Sequence, residues 1–286
     1  MIKFLTKGLI RDQSRSLFPV LIIILIVAII IFTKGLMTGM LNGMFVDTAV
    51  ISTGHLKIMT RAYKEESQLL PNDLALLETG QLIEELNRKH PDYFWTPRIT
   101  FAGLLDVPDQ NGETIKQGPT IAFGIDFFSS SSRQFEIWEL KKRLTEGRLP
   151  EKSDEVLLST KLAKRLALES GDNVTFIGSS MYNAFTTYNF TVTGTFNLNM
   201  GPLDKQMMLL DISGARIALD MEDAASEILG YSHDLHYNDP ASIFLRNTFN
   251  DIHSDSTDFF SPYMLALRDL NQMGYIIDFT DAVRGI

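Results

Sequence analysis

The sequence predicts an α+β protein, in which an N-terminal transmembrane helix is followed by an extracytoplasmic domain with a split β-α-β half and an inserted β-rich subdomain. Three observations predict this class. Residues 17–32 read LFPVLIIILIVAIIIF, and sixteen residues without a polar side chain are typical of a membrane-spanning helix. The later residues alternate short β-branched and aromatic runs with helical periodicity, which indicates mixed sheets with helices. The composition, 45% hydrophobic and 21% charged, is ordinary for a folded protein.

Charge and cysteine content exclude several functions. The net charge of −9 excludes nucleic acid as a partner, because phosphate binding needs clustered Lys and Arg. The first sixteen residues have four cations and one carboxylate, a net +3, so by difference the rest of the chain has −12. The absence of cysteine excludes disulfides, cysteine nucleophiles and thiolate metal sites. The four cations are Lys3, Lys7, Arg11 and Arg15.

The transmembrane span is predicted from Leu17 to Phe32. At about 1.5 Å per residue this stretch covers ~24 Å of a ~30 Å hydrocarbon core. We therefore expect the helix to run from about Ser16 to Met40, with the Lys34 side chain reaching back to the interface. The cations before the span orient its N-terminus towards the cytoplasm. A cleaved signal peptide has the same basic start, but no small-x-small cleavage site follows closely.

Two patterns beside the span each have two interpretations. The cations of residues 1–16 recur every four residues, which predicts a cytoplasmic basic amphipathic segment on the lipid headgroups, although charge that only orients the span explains them equally well. Gly35, Gly39 and Gly43 form a G-x-x-x-G-x-x-x-G row on one helix face, where a partner helix could pack closely. Glycines that merely loosen the end of the span would give the same row.

The extracytoplasmic part follows a transmembrane and stalk segment, residues 17–44. Residues 45–128 are predicted to form the first part of a β-α-β half, and residues 233–286 are predicted to form its second part. The serine run 129–132 marks the start of the inserted β-rich subdomain, residues 129–232. Predicted strands are 55–60, 95–107, 120–126, 155–159, 173–177, 188–196, 206–211, 242–246 and 275–278. Predicted helices are 74–89, 135–146, 161–168, 213–229 and 263–273.

No motif for catalysis or cofactor binding is present. The chain lacks G-x-x-x-x-G-K-[ST], G-x-S-x-G and H-E-x-x-H patterns. His233 and His236 are three residues apart, with Asp239 beyond, and could ligate zinc from a helix. Their surroundings, GYSHDLHYNDP, are rich in turn-forming residues and favour a solvated loop. We therefore predict no catalytic residue, no metal site and no cofactor.

Several short motifs occur in a specific order. Residues 146–175 read EGRLPEKSDEVLLSTKLAKRLALESGDNVT, in which G-R-x-P is followed by E-V, x-L-A-x-x-L and G-D-x-V. Residues 190–196, FTVTGTF, contain a V-x-G strand end, and Gly54 and His55 begin a G-H-L-x-I pattern. This series resembles ABC-transporter permeases of the MacB and LolC/LolE type, which are FtsX-like. It covers nearly the whole chain.

The residues that carry the resemblance are interpreted as fold markers. Gly147 and Gly171 suit turn positions with positive φ, and Asp172 can cap a turn into the next strand. Core positions are expected at Val156, Leu162, Ala163 and Leu166. The full set of fold-motif residues is Gly54, His55, Gly147, Arg148, Pro150, Glu155, Gly171, Asp172 and Gly194.

The resemblance implies a MacB-like periplasmic core domain with a porter-like split half, in a protein of the bacterial inner membrane. Such permeases pair as homodimers or heterodimers, contact membrane lipid and bind a separate cytoplasmic ABC ATPase. In such permeases, ATP-driven motion is transmitted to the periplasm (mechanotransmission), where lipoproteins, peptides or similar substrates are extruded or released. A periplasmic carrier or a lipoprotein cargo is a further partner that the resemblance implies. The resemblance thus implies a permease subunit and not an enzyme.

The chain departs from this family because it stops at Ile286, without later membrane helices or an ATPase-contacting loop. We expect a fragment of a longer permease. The alternative is a single-span, membrane-anchored extracytoplasmic binding or scaffold domain. About three further apolar spans downstream would distinguish the first hypothesis from the second.

Overall fold

The computed structural model describes residues 13–47, 53–109, 111–198, 200–270, 273–274 and 277–278. The predicted cytoplasmic segment, residues 1–16, therefore lies almost entirely outside the described residues. The same holds for the side-chain surroundings of Gly43.

The first described element is a long apolar helix, α1, Gln13–Asp47, of 35 residues. It contains the predicted span, and its segment Leu17–Met37 is long and apolar enough to cross a membrane, with none of it buried. Pro19 is the seventh residue of this helix and lies beyond its first turn, so its missing N–H leaves one backbone hydrogen bond of the helix unmade. The prediction of one long apolar N-terminal helix is confirmed.

Ten strands and seven further α-helices occur in the described part of the chain after α1. The strands are β1 Leu56–Thr60, β2 Tyr93–Pro108, β3 Thr114–Ile125, β4 Leu144–Gly147, β5 Glu155–Ser159, β6 Asn173–Ser179, β7 Phe185–Phe196, β8 Met207–Asp211, β9 Glu227–Ser232 and β10 Pro262–Ala266. The helices are α2 Arg61–Glu66, α3 Thr79–Lys89, α4 Gln134–Ile137, α5 Leu140–Arg143, α6 Thr160–Leu166, α7 Ile212–Leu219 and α8 Asp239–His253.

Polar side chains cap the N-termini of four of these helices by accepting a hydrogen bond from a backbone N–H that the first turn leaves unpaired. Thr60 accepts from the amide of Tyr63 at the start of α2, and the other three caps accept in the same way. They are Ser159 for α6, Asp211 for α7 and Asn238 for α8. Three of the caps are the last residue of a strand (β1, β5 and β8), so the strand-to-helix turns there are specified locally.

All ten strands are hydrogen-bonded in one sheet, in the order β10-β1-β9-β2-β3-β8-β5-β7-β4. The pairs β3/β8 and β5/β7 are parallel, and the remaining pairs are antiparallel. Strand β6 pairs with both β2 and β7, so the six strands β2, β3, β8, β5, β7 and β6 close into a ring. The other strands extend the sheet beyond this ring, with β9, β1 and β10 on the side of β2.

Three layers of buried side chains hold these elements together. The first fills the inside of the ring and contains Phe101, Leu105, Val156, Phe176, Phe190, Val192, Met208 and Leu210, with residues of α6 and α7 packed against them. The second covers the outer face of β3, β8 and β5 with α4 and α5, and includes Trp138, Leu140, Leu157 and Leu209. The third joins α3 and α8 to β1, β9 and β10, and includes Leu56, Ile58, Leu86, Ile228 and Phe249.

Most predicted elements before residue 212 are confirmed, and the later ones contain errors. The predicted strand 242–246 lies inside α8, and the predicted helix 263–273 begins as strand β10. The predicted helix 213–229 ends at Leu219, and the predicted final strand has helical backbone at residues 277–278. The predicted helix 135–146 is broken at Glu139, whose φ is +49°, into α4, α5 and the start of β4.

Two of the wrong predictions have different physical reasons. The run Ser-Ile-Phe-Leu-Arg at 242–246 has strand-like residues, but the Asn238 cap, Pro240 in the first turn and the buried positions 242, 245 and 249 favour a helix. Residues 262–266 form a strand because all five pair with β1, which local sequence does not show.

The pairing also bears on the predicted domain limits. Strand β9 falls within the predicted insert, and it pairs with β1 and β2 of the predicted first half. Strand β3 of that half pairs with β8 of the predicted insert. Both predicted parts thus contribute to one sheet, and the boundaries at 128 and 232 stay predictions.

Candidate functional site

Three charged side chains lie in the middle of the sheet where β1, β9 and β2 run side by side. Residues alternate between the two faces of a strand, so Ile58 and Ile228 face α3 and α8 while Lys57, Glu227 and Arg98 share the opposite face. Arg98 stands directly across from Glu227 in the β2/β9 register. We call these three residues the charged cluster.

The charged cluster is buried and closely bonded. Arg98 is 2% exposed and Glu227 is 3% exposed. The Nε and Nη2 atoms of Arg98 lie 2.7 and 2.5 Å from Oε1 of Glu227, and Nζ of Lys57 lies 2.5 Å from Oε2. The hydroxyl of Thr100 donates to Oε1 at 3.4 Å. Both carboxylate oxygens of Glu227 are therefore engaged, one by Arg98 and the other by Lys57.

The electrostatics of the cluster follow from burial and these short distances. Burial alone would raise the pKa of Glu227, but the charges and hydrogen bonds of Arg98 and Lys57 outweigh it and lower the pKa to about 2. Burial lowers the pKa of Lys57, and the carboxylate of Glu227 opposes that effect. Because an isolated buried charge costs several kcal/mol, the cluster is stable only while its partners remain together.

A cavity of about 440 Å³ adjoins the charged cluster. Its lining combines the three charged side chains with polar ones, such as Thr100 and Ser67, and with apolar ones from distant parts of the chain, including Met59, Phe123, Met200, Leu203, Leu265 and Leu270. Lys64 and Asp269, which are exposed, also line it and mark where it reaches the surface. The volume lies within the range of small-molecule sites, which are mostly apolar with a few placed polar groups.

The predicted fold-motif residues form a different structural unit, around β4 and β7. Arg148 makes a two-pronged ion pair with Glu155, at 2.7 Å from Nη1 to Oε2 and 2.6 Å from Nη2 to Oε1. Hydrogen bonding to Arg148 lowers the pKa of Glu155 to about 2, and the amide of Glu151 also donates to this carboxylate at 2.8 Å. Pro150 is buried within the same segment. The ion pair fixes the chain between β4 and β5.

Two glycines allow β4 and β7 to approach closely. Gly147 and Gly194 face each other in the strand register. A Cβ on Gly147 would stand 2.2 Å from the carbonyl oxygen of Thr193, and the φ of Gly147 is +79°. A Cβ on Gly194 would stand 2.5 Å from the carbonyl oxygen of Glu146. The predicted positive φ of Gly147 is confirmed, and neither position has room for a side chain.

The remaining motif residues lie at turns. Gly171 has φ +103°, as predicted, and its amide donates to the carbonyl of Val192. Asp172 accepts the amide of Glu169 at 2.8 Å and so closes the turn before β6. Gly54 has φ +67°, and the buried ring of His55 accepts the Ser232 amide at 3.0 Å. Burial lowers the pKa of His55 to about 4, so the ring is neutral at pH 7.

The histidine pair lies in a turn after β9, as predicted. His236 has 88% of its side chain exposed, and Nε2 of His233 lies 2.9 Å from the carbonyl of Pro91. No group of three or more His, Asp or Glu in the described residues could hold a metal ion.

The glycine row lies on α1. A Cβ added to Gly35 or Gly39 would have no atom of the described residues within 4 Å beyond its own helix, so both positions have room for a neighbouring helix. Gly43 is outside the residues whose side chains are described. Packing of this face against another helix stays a prediction.

Sequence reasoning missed Arg98 and Glu227, and it noted Lys57 only inside the G-H-L-x-I pattern. Charged residues within strands normally face solvent, so their burial depends on which strands are neighbours. The sequence signal for these residues was a charged residue next to a β-branched residue in each of three strands. That pattern indicates a buried charged cluster only when it is known which strands are neighbours in the sheet.

Comparisons with known proteins show the fold. No family model matches the chain, and no curated protein matches it. Among solved structures, the chain is similar to the periplasmic region of MacB from Actinobacillus actinomycetemcomitans, with 15% identity and a TM-score of 0.50. The similarity covers 77% of this chain and 92% of the MacB region. The part after α1 therefore has a MacB-like periplasmic fold, which is mixed α+β with a β-rich core.

Proposed function

We propose that this chain supplies the first membrane helix and the periplasmic domain of an ABC-transporter permease of the MacB and LolC/LolE type. The observation that carries the proposal is a MacB-like fold in a chain whose helix α1 contains a segment, Leu17–Met37, that is long and apolar enough to cross a membrane. The domain acts mechanically: motion driven by ATP in the cytoplasm is transmitted to the periplasm, where substrates such as lipoproteins or peptides are extruded or released. In this proposal the chain itself is not an enzyme.

The proposed partners follow from this role. A cytoplasmic ABC ATPase supplies the hydrolysis, and a second permease protomer, identical or related, completes the transporter in the bacterial inner membrane. The glycine row of α1 offers a face on which a neighbouring membrane helix can pack. In this proposal the N-terminus is cytoplasmic and the sheet domain is periplasmic, consistent with the +3 charge of the first sixteen residues.

A second candidate function is a membrane-anchored extracytoplasmic binding or scaffold domain. The cavity beside the charged cluster favours it, because a pocket with buried charges and apolar walls is typical of ligand binding. The two candidates differ in whether an ATPase is required.

Affinity purification of the full reading frame distinguishes them. The protein, tagged at its N-terminus, is expressed in its native host, extracted in mild detergent and purified, and its partners are identified by mass spectrometry. A transporter subunit is expected to retain an ATPase with a G-x-x-x-x-G-K-[ST] motif. The absence of any ATPase, with the protein otherwise folded and abundant, would refute the permease proposal and leave the binding domain.

Orientation is tested separately, and the absence of native cysteine makes the test direct. Single variants Ser14→Cys and Ser256→Cys are treated with a membrane-impermeant maleimide in spheroplasts. Ser256 is exposed in the loop before β10. We expect the Ser256→Cys variant to react in intact spheroplasts and the Ser14→Cys variant only after permeabilisation. The reverse pattern would refute the proposed topology.

A further inference from the structure

The ring of His55 lies beneath the turn that follows β9, residues 233–238, at the point where the chain enters the sheet. His55 is 1% exposed. Its Nδ1 atom accepts the amide of Ser232 at 3.0 Å and lies 3.0 Å from the Ser232 hydroxyl, which donates to the carbonyl of His236 at 2.8 Å. The backbone carbonyl of His55 accepts the amide of Leu267 at 3.0 Å. One residue therefore joins the start of β1, the 233–238 turn and the residues after β10.

The same turn also contacts three further elements. Nε2 of His233 lies 2.9 Å from the carbonyl oxygen of Pro91, which precedes β2. Arg133, which precedes α4, donates from Nη1 to the carbonyl of His233 at 3.3 Å. Tyr237 donates its hydroxyl to Asp239 in the first turn of α8 at 2.8 Å. A movement of the turn would therefore shift the start of α8 relative to β1.

The contact between His55 and Ser232 depends on the protonation state of the ring. A neutral imidazole has one acceptor nitrogen and one donor nitrogen, and the Ser232 amide requires Nδ1 to be the acceptor. When Nδ1 takes up a proton, two N–H donors face each other at 3.0 Å and the amide loses its acceptor. A buried imidazolium and an amide without an acceptor are both unfavourable, so protonation favours separation of the two groups.

Ionisable groups from the neighbouring elements surround the ring of His55. In the described part of the chain, the turn contributes Asp234 and His236. The rings of Tyr231 and Tyr237 have their centres 6.2 and 5.9 Å from the centre of the imidazole. Next to Tyr237, α8 and the residues after β10 contribute an ion pair at 2.8 Å, Asp239 with Arg268.

Burial dominates the effect of these surroundings. It lowers the pKa of His55 from an ordinary 6.5 to about 4 and outweighs the Asp234 carboxylate, which raises the pKa. His236 lowers the pKa further, and the backbone of Leu235 raises it. The ring of His55 is therefore neutral at pH 7, and the contact with Ser232 opposes its protonation in acid.

We propose that His55 is a pH-sensitive latch, which holds the 233–238 turn while its ring is neutral and releases the turn when Nδ1 is protonated. At neutral pH the start of β1, the turn and the start of α8 move together. In acid the turn opens locally and α8 is uncoupled from the start of β1, while β6 and β7 stay paired. The latch does not depend on the permease role, and in the proposed topology it is exposed to the pH of the medium.

Hydrogen–deuterium exchange of the full chain in lipid nanodiscs tests the latch. The protection factor of a peptide that covers residues 231–237 is measured from pH 7 to pH 5, after correction for the intrinsic exchange rate at each pH. A group whose pKa is 6.5 in the open turn and about 4 in the closed one makes opening about twentyfold more favourable over this interval. We therefore expect the protection of the turn to fall about twentyfold, and to stay below that of β6 throughout.

Two asparagine variants separate His55 from an exposed histidine of the same turn. His55→Asn keeps an acceptor oxygen near the position of Nδ1 but cannot take up a proton, so the protection of the turn should be nearly independent of pH. His236→Asn is the matched control and should retain the full fall, because the His236 side chain is 88% exposed. Persistence of the fall in His55→Asn, or its loss in His236→Asn, would overturn the assignment.

A measurement on the wild-type chain keeps the latch falsifiable if His55→Asn does not fold. Deuterium exchange at the Cε1 position of histidine rings, followed by mass spectrometry, gives a titration midpoint for His55 in the intact protein. The midpoint should lie below pH 6.5, and the turn should lose protection in the same pH interval. A midpoint at pH 6.5 or above, or protection of the turn that does not change with pH, would overturn the proposal. Equal protection factors for the turn and for β6 would also overturn it, because the turn would then open only when the whole domain unfolds.

Discussion

Glu227→Gln tests whether the charged cluster stabilises the domain. The substitution removes one negative charge with little change of shape. It leaves the ammonium of Lys57 and the guanidinium of Arg98 close together without that carboxylate, in a site where Arg98 is only 2% exposed. Like charges brought together away from water are unfavourable, so the folded state is expected to lose stability.

The size of the expected stability loss follows from the pKa of Glu227. The pKa falls from an ordinary 4.5 to about 2 in the folded protein, which corresponds to about 3 kcal/mol of stability at pH 7. Removing one partner of a buried ion pair typically costs about 3–5 kcal/mol of stability, and the value from the pKa lies at the lower end of that range. For a domain of this size a loss of about 3 kcal/mol lowers Tm by about 6–12 °C.

The assay is thermal unfolding of the full chain in nanodiscs, followed by the fluorescence of the buried Trp95 and Trp138. Because the folded pKa is depressed, the contribution of Glu227 is present above pH 4.5 and is lost as the pH falls towards 2. The difference between wild type and Glu227→Gln should therefore shrink over that window. Glu65→Gln, at an exposed position in α2, is the matched control.

A small effect would refute this reasoning. If Glu227→Gln lowered Tm no more than Glu65→Gln at pH 7, the cluster would not be held together by the carboxylate. A difference that stayed constant from pH 7 to pH 3 would show that the loss comes from packing and not from charge.

Three further substitutions have expected outcomes that thermal unfolding can check. Gly147→Ala should cost about 2 kcal/mol more than Gly112→Ala, because both glycines have positive φ but only Gly147 would bring a Cβ within 2.2 Å of a backbone oxygen; equal losses would contradict the close-approach argument. Arg148→Met should lower Tm at pH 7 by leaving the buried Glu155 without its guanidinium, and since the folded pKa of Glu155 is about 2, the loss should fade as the pH drops from 4.5 towards 2; a loss independent of pH would contradict this. Asn238→Ala should cost about 1 kcal/mol through loss of the α8 cap, while Asn247→Ala on the exposed face of the same helix should not, and equal effects would argue against a capping role.

Local sequence predicted those parts of the fold whose signal is local. The strand at residues 155–159 and the helix that follows it are predictable because an apolar run is followed at once by a helical period, and the structure adds a Ser159 cap between them. Positive φ at Gly147 and Gly171 could be predicted from turn chemistry. The last third was less predictable, because β10 is a strand through its pairing with β1, some 200 residues earlier in the chain.

The candidate site could not be predicted from the same signals. Lys57, Arg98 and Glu227 come from three strands separated by 41 and 129 positions, and each resembles an exposed charge in its local sequence. Only the strand order β1-β9-β2 brings them together. The motif residues around Arg148 and Glu155 were recognisable because they lie within ten residues of one another, and they stabilise the fold at a distance in sequence from the cavity lining.

The β1/β10 pair determines how the domain would respond to tension. Leu56, where the chain enters the sheet, pairs with Ala266, where it leaves, and the carbonyl of His55 accepts the amide of Leu267 at 3.0 Å. Pulling the two ends apart therefore loads the backbone hydrogen bonds of this pair one after another, as in unzipping, and not all at once in shear. The domain would be mechanically weak when its ends are separated. It would transmit displacement well only when both ends move together as one attachment point.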